Sequence, residues 1–314
     1  MPHSPLVIVN PTAGGGRAAR LVPWLRERLA TRPEVRLVVT RGRGDAERLA
    51  GSAAHDGHDR IVAVGGDGTV QEIVNGLVDS GTETGPEIGP KIGLGIVPVG
   101  SGNDLSRSLR LSREPAAAWT IAMGRGERRV DVALATGADD RRRWFASAGG
   151  VGFDAQVATT MASRAGWQRG QAGYLLTTLA ELRRFSNRHI ELTIDGVTTS
   201  RAVLFVAMAN GEYYGGGMRI APGAIVDDGA LDLCIVGDVS RATALRQLVN
   251  LYRGTHVRHP QVELARGRVV EIAGDPETLV HLDGEPFGHL PLRVELHARR
   301  LLLAAPSGQP PAVR

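Results

Sequence analysis

The chain has 314 residues, 42% of them hydrophobic and 22% charged, with a formal net charge of +4: the balance of a soluble globular protein, too long for one ordinary core and suited to two domains. Aromatics make up only 4% and the arginines are scattered, which argues against nucleic-acid binding, and the single cysteine, Cys234, excludes a disulfide framework and a cysteine-built zinc cluster. Lys91, the one lysine, lies in no GxxxxGK[ST] run, so a Walker A phosphate loop is excluded as well.

Residues 6–9 read as an opening strand, and Asn10-Pro-Thr-Ala-Gly-Gly-Gly-Arg17 as a glycine-rich turn into a helix to about residue 29, which Pro23 should bend or delay. Residues 35–39 form the next strand, ending at Thr40, and Asp45 is the candidate N-cap of a helix to residue 55. Residues 61–64 are apolar and mostly β-branched, a buried strand. Val70, Ile73, Val74, Leu77 and Val78 then repeat along one helix face. Gly65-Gly-Asp-Gly-Thr69 is therefore a strand-to-helix turn, with Thr69 and Glu72 spaced as a capping box. After a polar loop over 80–90, residues 92–97 give another strand, Val99-Gly-Ser-Gly-Asn-Asp104 another glycine-rich turn, and helices near 104–109 and 116–123 follow. This alternation predicts a three-layer α/β domain whose parallel sheet binds ligands beyond its strand C-termini, where all the glycine-rich turns fall.

Beyond Gly126 short strands dominate: residues 129–135, 144–148, 189–194, 197–209, 231–236, 262–265 and 269–273, with Asp195-Gly196 as a hairpin turn. They predict a C-terminal antiparallel β-sandwich or barrel with helices inserted near 153–163, 174–185 and 241–252. The expected domains are 1–126 and 127–297, with 298–306 packing back on the first and 307–314 a tail. No apolar run approaches the roughly 18 residues that span a bilayer. The first residues carry no signal-peptide pattern, so a cytoplasmic location is expected, with attraction to anionic membrane surfaces left open.

The turn at residues 65–69 carries the sharpest chemistry. Its glycines expose backbone N–H groups beside a helix N-terminus, a setting suited to phosphate. Asp67 contradicts simple anion binding, because a carboxylate next to phosphates repels them unless a cation lies between or it handles a proton. A nucleotide site using Mg²⁺ is one reading; a tight turn whose Asp caps backbone donors is the other.

Asn10-Pro-Thr-Ala-Gly14, Gly65-Gly-Asp-Gly-Thr69, Gly100-Ser-Gly-Asn-Asp104 and Asp283-Gly-Glu285, in this order, resemble the catalytic domain shared by diacylglycerol kinases, sphingosine kinases and bacterial lipid kinases. Val130-Asp131, Phe145-Ala-Ser-Ala-Gly-Gly-Val-Gly-Phe-Asp154, Asn210-Gly211 and Asp227-Asp-Gly-Ala-Leu-Asp232 extend the resemblance over nearly the whole chain. It implies an N-terminal domain like that of phosphofructokinases and NAD kinases, a C-terminal β-sandwich, and ATP in the cleft between them. Nucleotide contacts would fall on Asn10, Pro11, Thr12, Ala13, Gly14, Thr40, Gly65, Gly66, Asp67, Gly68, Thr69, Ser101 and Asn103. Ordinary turn capping is the alternative for Thr40 and Ser101.

Phosphoryl transfer needs charge neutralised on the leaving phosphate and a group to take the acceptor's proton. By resemblance, Asp67, Asp104 and Asp131 form an acidic network around catalytic Mg²⁺. Glu285 is the expected general base, with Asp283 supporting it or bridging to metal; the reverse assignment stays open. A structural Mg²⁺ is expected on the Asp228 carboxylate with the carbonyls of Ile225 and Ala230, against the alternative of a simple turn. For Asp104 the alternative is a helix N-cap.

The resemblance implies ATP- and Mg²⁺-dependent phosphorylation of a lipid hydroxyl, foremost diacylglycerol to phosphatidate, at a membrane surface; a homodimer is left open. A sphingoid-base, ceramide or other lipid-alcohol kinase is the near rival. NAD kinase and a nucleotide sensor without turnover are more distant ones. An apolar stripe at Leu175, Leu179 and Leu182 ending in Arg183 and Arg184, and Trp167 among Arg164 and Arg169, are candidate membrane contacts, with packing on the protein's own core as the stripe's alternative.

Overall fold

The computed structural model describes residues 4–80, 92–163 and 171–306. The expected polar loop beyond Ser80, Lys91, the Trp167 region and the 307–314 tail lie outside the described residues. The chain divides into two compact units, Met1–Val132 with Ala298–Val313, and Ala133–His297.

In the first unit β1 (Pro5–Val9), α1 (Ala13–Leu29), β2 (Arg36–Val39), α2 (Asp45–Ser52), β3 (Arg60–Gly65), α3 (Asp67–Ser80), β4 (Gly93–Pro98), α4 (Asp104–Ser108), α5 (Pro115–Ala122) and β5 (Glu127–Thr136) follow in order. The neighbours β4, β3, β1 and β2 are all parallel. Because parallel strands end on the same edge, the turns after β1, β3 and β4 come out together. Every residue of β1, β3 and β4 is buried, as a sheet covered on both faces demands. Val7, Val9, Val62, Val64 and Val97 pack with Leu25, Trp119 and Ala122 from the helices. Where α2 meets α3, a Cβ on Gly76 would stand 2.2 Å from the Glu47 carbonyl oxygen, so only glycine admits that close crossing.

Two local expectations change. The helix after β1 is irregular at Gly14, Gly15 and Gly16, all with positive φ, while Pro23 sits inside a continuing helix; the glycines make the kink because their missing Cβ permits left-handed backbone. The capping box does not form: Gly66 O accepts the N–H groups of Thr69 and Val70, and Glu72 instead takes the Ala46 amide of α2 at 3.2 Å. Glu72 thus ties two helices together rather than closing its own.

The second unit contains β6 (Arg142–Phe145), β7 (Ala148–Gly152), α6 (Phe153–Ala162), α7 (Gln171–Leu182), β8 (Arg188–Ile194), β9 (Val197–Ala209), β10 (Tyr213–Tyr214), β11 (Met218–Arg219), β12 (Leu231–Gly237), α8 (Arg241–Arg253), β13 (Val262–Gly267), β14 (Val269–Gly274), β15 (Leu279–Leu282), β16 (Glu285–His289) and β17 (Leu292–Ala304). Its strand pairs are antiparallel, in the order β16, β15, β7, β9, β8, β14, β17. The first half of β9 pairs with β8, and its second half lies between β7 and β12, so one long strand serves two layers. Phe145, Val206, Met208, Leu231, Leu233, Val270, Leu282 and Val294 fill the core between them. The last part of β17 belongs to the first unit, where Leu303 pairs in parallel with Leu94 of β4.

The expected 144–148 strand is two strands, broken where Asp283 engages the backbone, and Leu292–Ala304 is one continuous strand. The Asp195-Gly196 hairpin forms as expected: two residues with φ 47° and 86° join β8 to β9.

Candidate active site

In the first unit the glycine-rich turns are closed against each other by direct backbone contact. A Cβ on Gly66 would lie 3.1 Å from Gly100 Cα, and one on Gly14 would lie 2.2 Å from the Val99 carbonyl oxygen. Side chains complete the lattice. Asn10 Nδ2 donates to Thr69 Oγ1 at 2.9 Å, while Asn10 Oδ1 accepts from the Thr12 amide and hydroxyl at 3.1 and 2.9 Å. Asn10 therefore spends its side chain holding the first turn to the second. Arg17 Nη2 donates to the carbonyls of Val99 and Gly100 at 2.9 and 3.1 Å, bracing the first turn to the third. Sequence reasoning missed Arg17; its signal was a guanidinium directly after a glycine run.

Asp67 links the second turn to the third. Its Oδ2 accepts the Asn103 amide and its Oδ1 the Asp104 amide, each at 2.7 Å. Burial pushes its carboxyl above the ordinary carboxylate range, opposed by these amides and by the charge of Arg107. The backbone-capping alternative is thus realised at both oxygens, each of which keeps accepting capacity for a water. Asn103 is buried in left-handed conformation, φ 54°, with Nδ2 on the Gly100 carbonyl at 2.8 Å. Asp104 is the first residue of α4, whose N-cap is Asn103, so Asp104 is not the cap. Thr40 is buried at the end of β2, its amide on the Val9 carbonyl, and Ser101 is exposed.

Asp131 is completely buried, and its Oδ1 accepts the Arg299 amide at 2.7 Å, holding β17 where Arg299 has φ 52°. Among the described residues no group of three or more His, Cys, Asp or Glu side chains is arranged to hold a metal ion. The structure does not gather Asp67, Asp104 and Asp131 into one metal cage; Asp67 and Asp131 are directed at backbone amides instead.

In the second unit Asp283-Gly284 is the two-residue turn between β15 and β16, with φ 48° and 81°. Asp283 accepts the amides of Ala146, Ser147 and Ala148 at 3.1, 2.9 and 3.0 Å and donates its own N–H to Ala148 O. Asp195, which lies in no motif, does the same in the other Asp-Gly hairpin: its carboxylate takes the amides of Arg268 and Val269 at 3.0 and 2.8 Å. Asp283 is a backbone anchor by the same geometry. Glu285, two residues on, opens β16 and is partly exposed.

Behind this hairpin lies a buried pair that sequence reasoning passed over. His281 Nε2 stands 3.2 Å from Asp154 Oδ2, Nδ1 stands 3.3 Å from the Gly284 amide, and the ring stacks on Tyr214. An Nδ1 that accepts from an N–H leaves Nε2 as the donor to Asp154, which fixes one tautomer. The pair fits only because residue 150 is glycine: a Cβ there would sit 1.9 Å from Asp154 Oδ2.

At the expected structural metal site, Arg266 Nη2 donates to Asp228 Oδ2 at 2.5 Å and Arg266 Nε approaches Asp232 at 3.5 Å. A guanidinium engages the carboxylate a cation would use, so these residues as placed do not fit a bound Mg²⁺. A small apolar pocket, partly open to solvent, lies between α7, α8 and the sheet, lined by Leu182, Leu204, Phe205, Val236, Leu248 and Leu251.

Comparison with known proteins places this geometry. Residues 4–135 match the diacylglycerol kinase catalytic domain and residues 147–305 the YegS C-terminal NAD kinase beta sandwich-like domain. A diacylglycerol kinase of Mycobacterium tuberculosis is 31% identical over 91% of this chain and 90% of its own length. A Chromohalobacter salexigens protein named "Probable lipid kinase YegS-like" is 33% identical over 93% and 92%. A crystal structure of a diacylglycerol kinase from Bacillus anthracis str. Sterne shares the fold with a TM-score of 0.69 at 23% identity, covering 97% of both chains. A second structure from that organism reaches 0.75 at 26% identity over 98% of this chain and 99% of its own.

Proposed function

We propose that this chain, which belongs to the family of diacylglycerol kinases and YegS-like lipid kinases, transfers the γ-phosphoryl group of ATP to a lipid hydroxyl with Mg²⁺, diacylglycerol being the favoured acceptor and phosphatidate the product. The observation that carries the reading is the set of interlocked glycine-rich turns on one edge of the parallel sheet, where Gly66 and Gly100 meet backbone to backbone beside the start of α3. Bare amides and a helix N-terminus stabilise polyphosphate without a lysine. Nucleotide contacts are assigned to residues 10–14, Thr40, residues 65–69, Ser101 and Asn103.

Mg²⁺ would draw most of its ligands from phosphate oxygens and water, as this ion commonly does, with Asp67 reaching it through a water. Such a metal neutralises charge on the leaving phosphate. Of the two acids of the β15–β16 hairpin, Asp283 already carries three amide bonds, so Glu285 is assigned as the base that takes the acceptor's proton and Asp283 as the residue that positions it.

Purified protein given labelled ATP, Mg²⁺ and separate acceptors (diacylglycerol, a sphingoid base, ceramide, NAD and none) should label diacylglycerol most strongly. Label in a different lipid would change the acceptor, label in NAD would overturn the lipid reading, and nucleotide binding without product would make the chain a sensor. Glu285→Gln should abolish turnover while ATP affinity is kept.

A further inference from the structure

The turn that leads into Glu285 is held at both of its residues. Asp283 is tied through its carboxylate to residues 146–148. The Gly284 amide lies outside the β15–β16 ladder, where Leu282 pairs with Glu285, and donates to His281 Nδ1 at 3.3 Å. A hairpin tip is ordinarily the loosest part of its hairpin and leaves such an amide to water. Here an imidazole takes it, and the next residue in the chain is the assigned base.

The ring is itself fixed from several sides. His281 stands opposite Gly150 in the β15–β7 ladder, and a Cβ on Gly150 would lie 2.5 Å from its Nε2. Tyr214 of the short β10–β11 hairpin stacks on it, with ring centroids 6.0 Å apart and planes inclined by 18°. Nε2 meets Asp154 Oδ2 at 3.2 Å, and the other oxygen of that carboxylate accepts the Ala155 amide at 2.8 Å in the first turn of α6, where a helix N-terminus favours an anion. With both Asp154 oxygens accepting, Nε2 donates and Nδ1 keeps its lone pair for Gly284. Burying an acid beside an imidazole is costly, and apolar side chains would fill the same space without that cost. Both side chains are buried, so neither reaches a substrate.

We infer that Asp154 and His281 are positioning residues for the proposed phosphoryl transfer: the carboxylate sets the imidazole tautomer, the imidazole holds the Gly284 amide, and that amide fixes the backbone from which Glu285 meets the acceptor hydroxyl. The inference rests on the lipid-kinase reading and its assignment of Glu285 as base. The acceptor's proton goes to Glu285 and never enters the pair.

Asp154→Asn tests this series of bonds with a side chain of the same shape. With the Ala155 N–H keeping the asparagine oxygen, the NH₂ group faces Nε2, makes it the acceptor and moves the ring proton to Nδ1, where it opposes the Gly284 N–H. Nitrogen-15 shifts of the imidazole should report the exchange, and kcat should fall about 10²-fold with KM for ATP unchanged, the loss expected when a reacting group is misplaced by about 1 Å. His281 is then replaced in two ways. Asn puts an oxygen where Nδ1 stood but leaves Asp154 unpaired, whereas Gln reaches Asp154 and leaves the Gly284 amide unpaired. His281→Gln should therefore melt higher than His281→Asn yet turn over at least about tenfold more slowly. An inverted tautomer with parental kcat, or turnover of the two His281 variants in the order of their melting temperatures, overturns the inference. Combination with Glu285→Gln separates the possible failures. If Glu285→Gln alone leaves turnover intact, or the parent labels no lipid, the reading beneath the inference is wrong. If Glu285→Gln is deleterious and His281→Gln multiplies that loss in full, the base stands and the pair does not act through it.

Discussion

Replacing Asp283 by Asn separates anchoring from chemistry in the β15–β16 hairpin. The Asp283 carboxylate accepts three backbone amides from residues 146–148, the stretch that joins β6 to β7. A hydrogen bond to a charged acceptor contributes about 1.5–3 kcal/mol, and an amide left unpaired away from water costs about 1–3 kcal/mol. Asn keeps one carbonyl oxygen and tolerates the left-handed backbone at this position, φ 48°, but its amide nitrogen cannot accept. One oxygen retained and some water admitted bring the expected loss to about 2–4 kcal/mol, below the sum of three bonds because neighbouring bonds are not additive. Urea unfolding followed by circular dichroism should show the midpoint fall at unchanged slope, while Asp195→Asn, the non-motif counterpart, falls comparably. Turnover of Asp283→Asn should drop less than that of Glu285→Gln, which should unfold at the parent midpoint and lose about 10²–10⁴ in kcat. If Asp283→Asn unfolds at the parent midpoint and loses as much turnover as Glu285→Gln, the anchoring argument is wrong and the carboxylate takes part in the reaction.

Gly76→Val should destabilise the first unit by about 1–3 kcal/mol in the same assay, because its Cβ would press on the Glu47 carbonyl oxygen at 2.2 Å and on Ala50 at 2.9 Å. Asp67 has a folded-state carboxyl raised above its ordinary 3.8 by burial, so the native state holds the proton more tightly; its contribution to stability is full below 3.8 and is lost as pH rises through the folded value. Unfolding midpoints measured across the acid range should show this decline in the parent and lack that component in Asp67→Asn. The Cys234 thiol, pushed up to about 12 by burial and by the nearby Asp154 charge, should resist iodoacetamide at neutral pH until the protein is unfolded, as mass spectrometry of the alkylated protein would report. Gly150→Ala should displace Asp154 from His281, which nitrogen-15 chemical shifts of the imidazole would register as a change of tautomer population.

The fold was legible where one period dominates. Residues 61–64 and 92–97 are uninterrupted apolar runs beside helical stripes, and they lie within β3 and β4. Legibility failed where glycine replaces side chains that would carry a period: β7, with glycine at 149, 150 and 152, has almost no alternation, and its place beside β9 is set by pairing rather than propensity. The capping box failed for a different reason, since Thr69 and Glu72 have the right spacing but found better partners in Asn10 and Ala46. In the candidate site the residue types were readable and their bonds were not. Asn10 and Asp67 stand out in sequence as polar groups in glycine turns, but whether they face ligand or backbone depends on a loop dozens of residues away. His281 lay hidden as one polar residue between Val280 and Leu282, and its partner Asp154 is 127 positions distant.

The acids therefore carry less diagnostic weight for catalysis than their motif positions suggest. Asp67, Asp131 and Asp283 each close a backbone junction next to a residue in left-handed conformation: Asn103, Arg299 and Asp283 itself. Such conformations cost energy and persist only when surrounding bonds hold them. A relative that bound nucleotide without turning it over would need the same carboxylates merely to keep its turns closed. Their retention cannot separate a kinase from a sensor, so Asp67→Asn, which should loosen the turns, would impair either one. Glu285→Gln is the sharper instrument, because the sensor reading predicts no product to lose and the kinase reading predicts lost product with nucleotide affinity intact. Measuring both variants for nucleotide binding and for lipid phosphate keeps the architecture of the phosphate cradle distinct from the chemistry done in it.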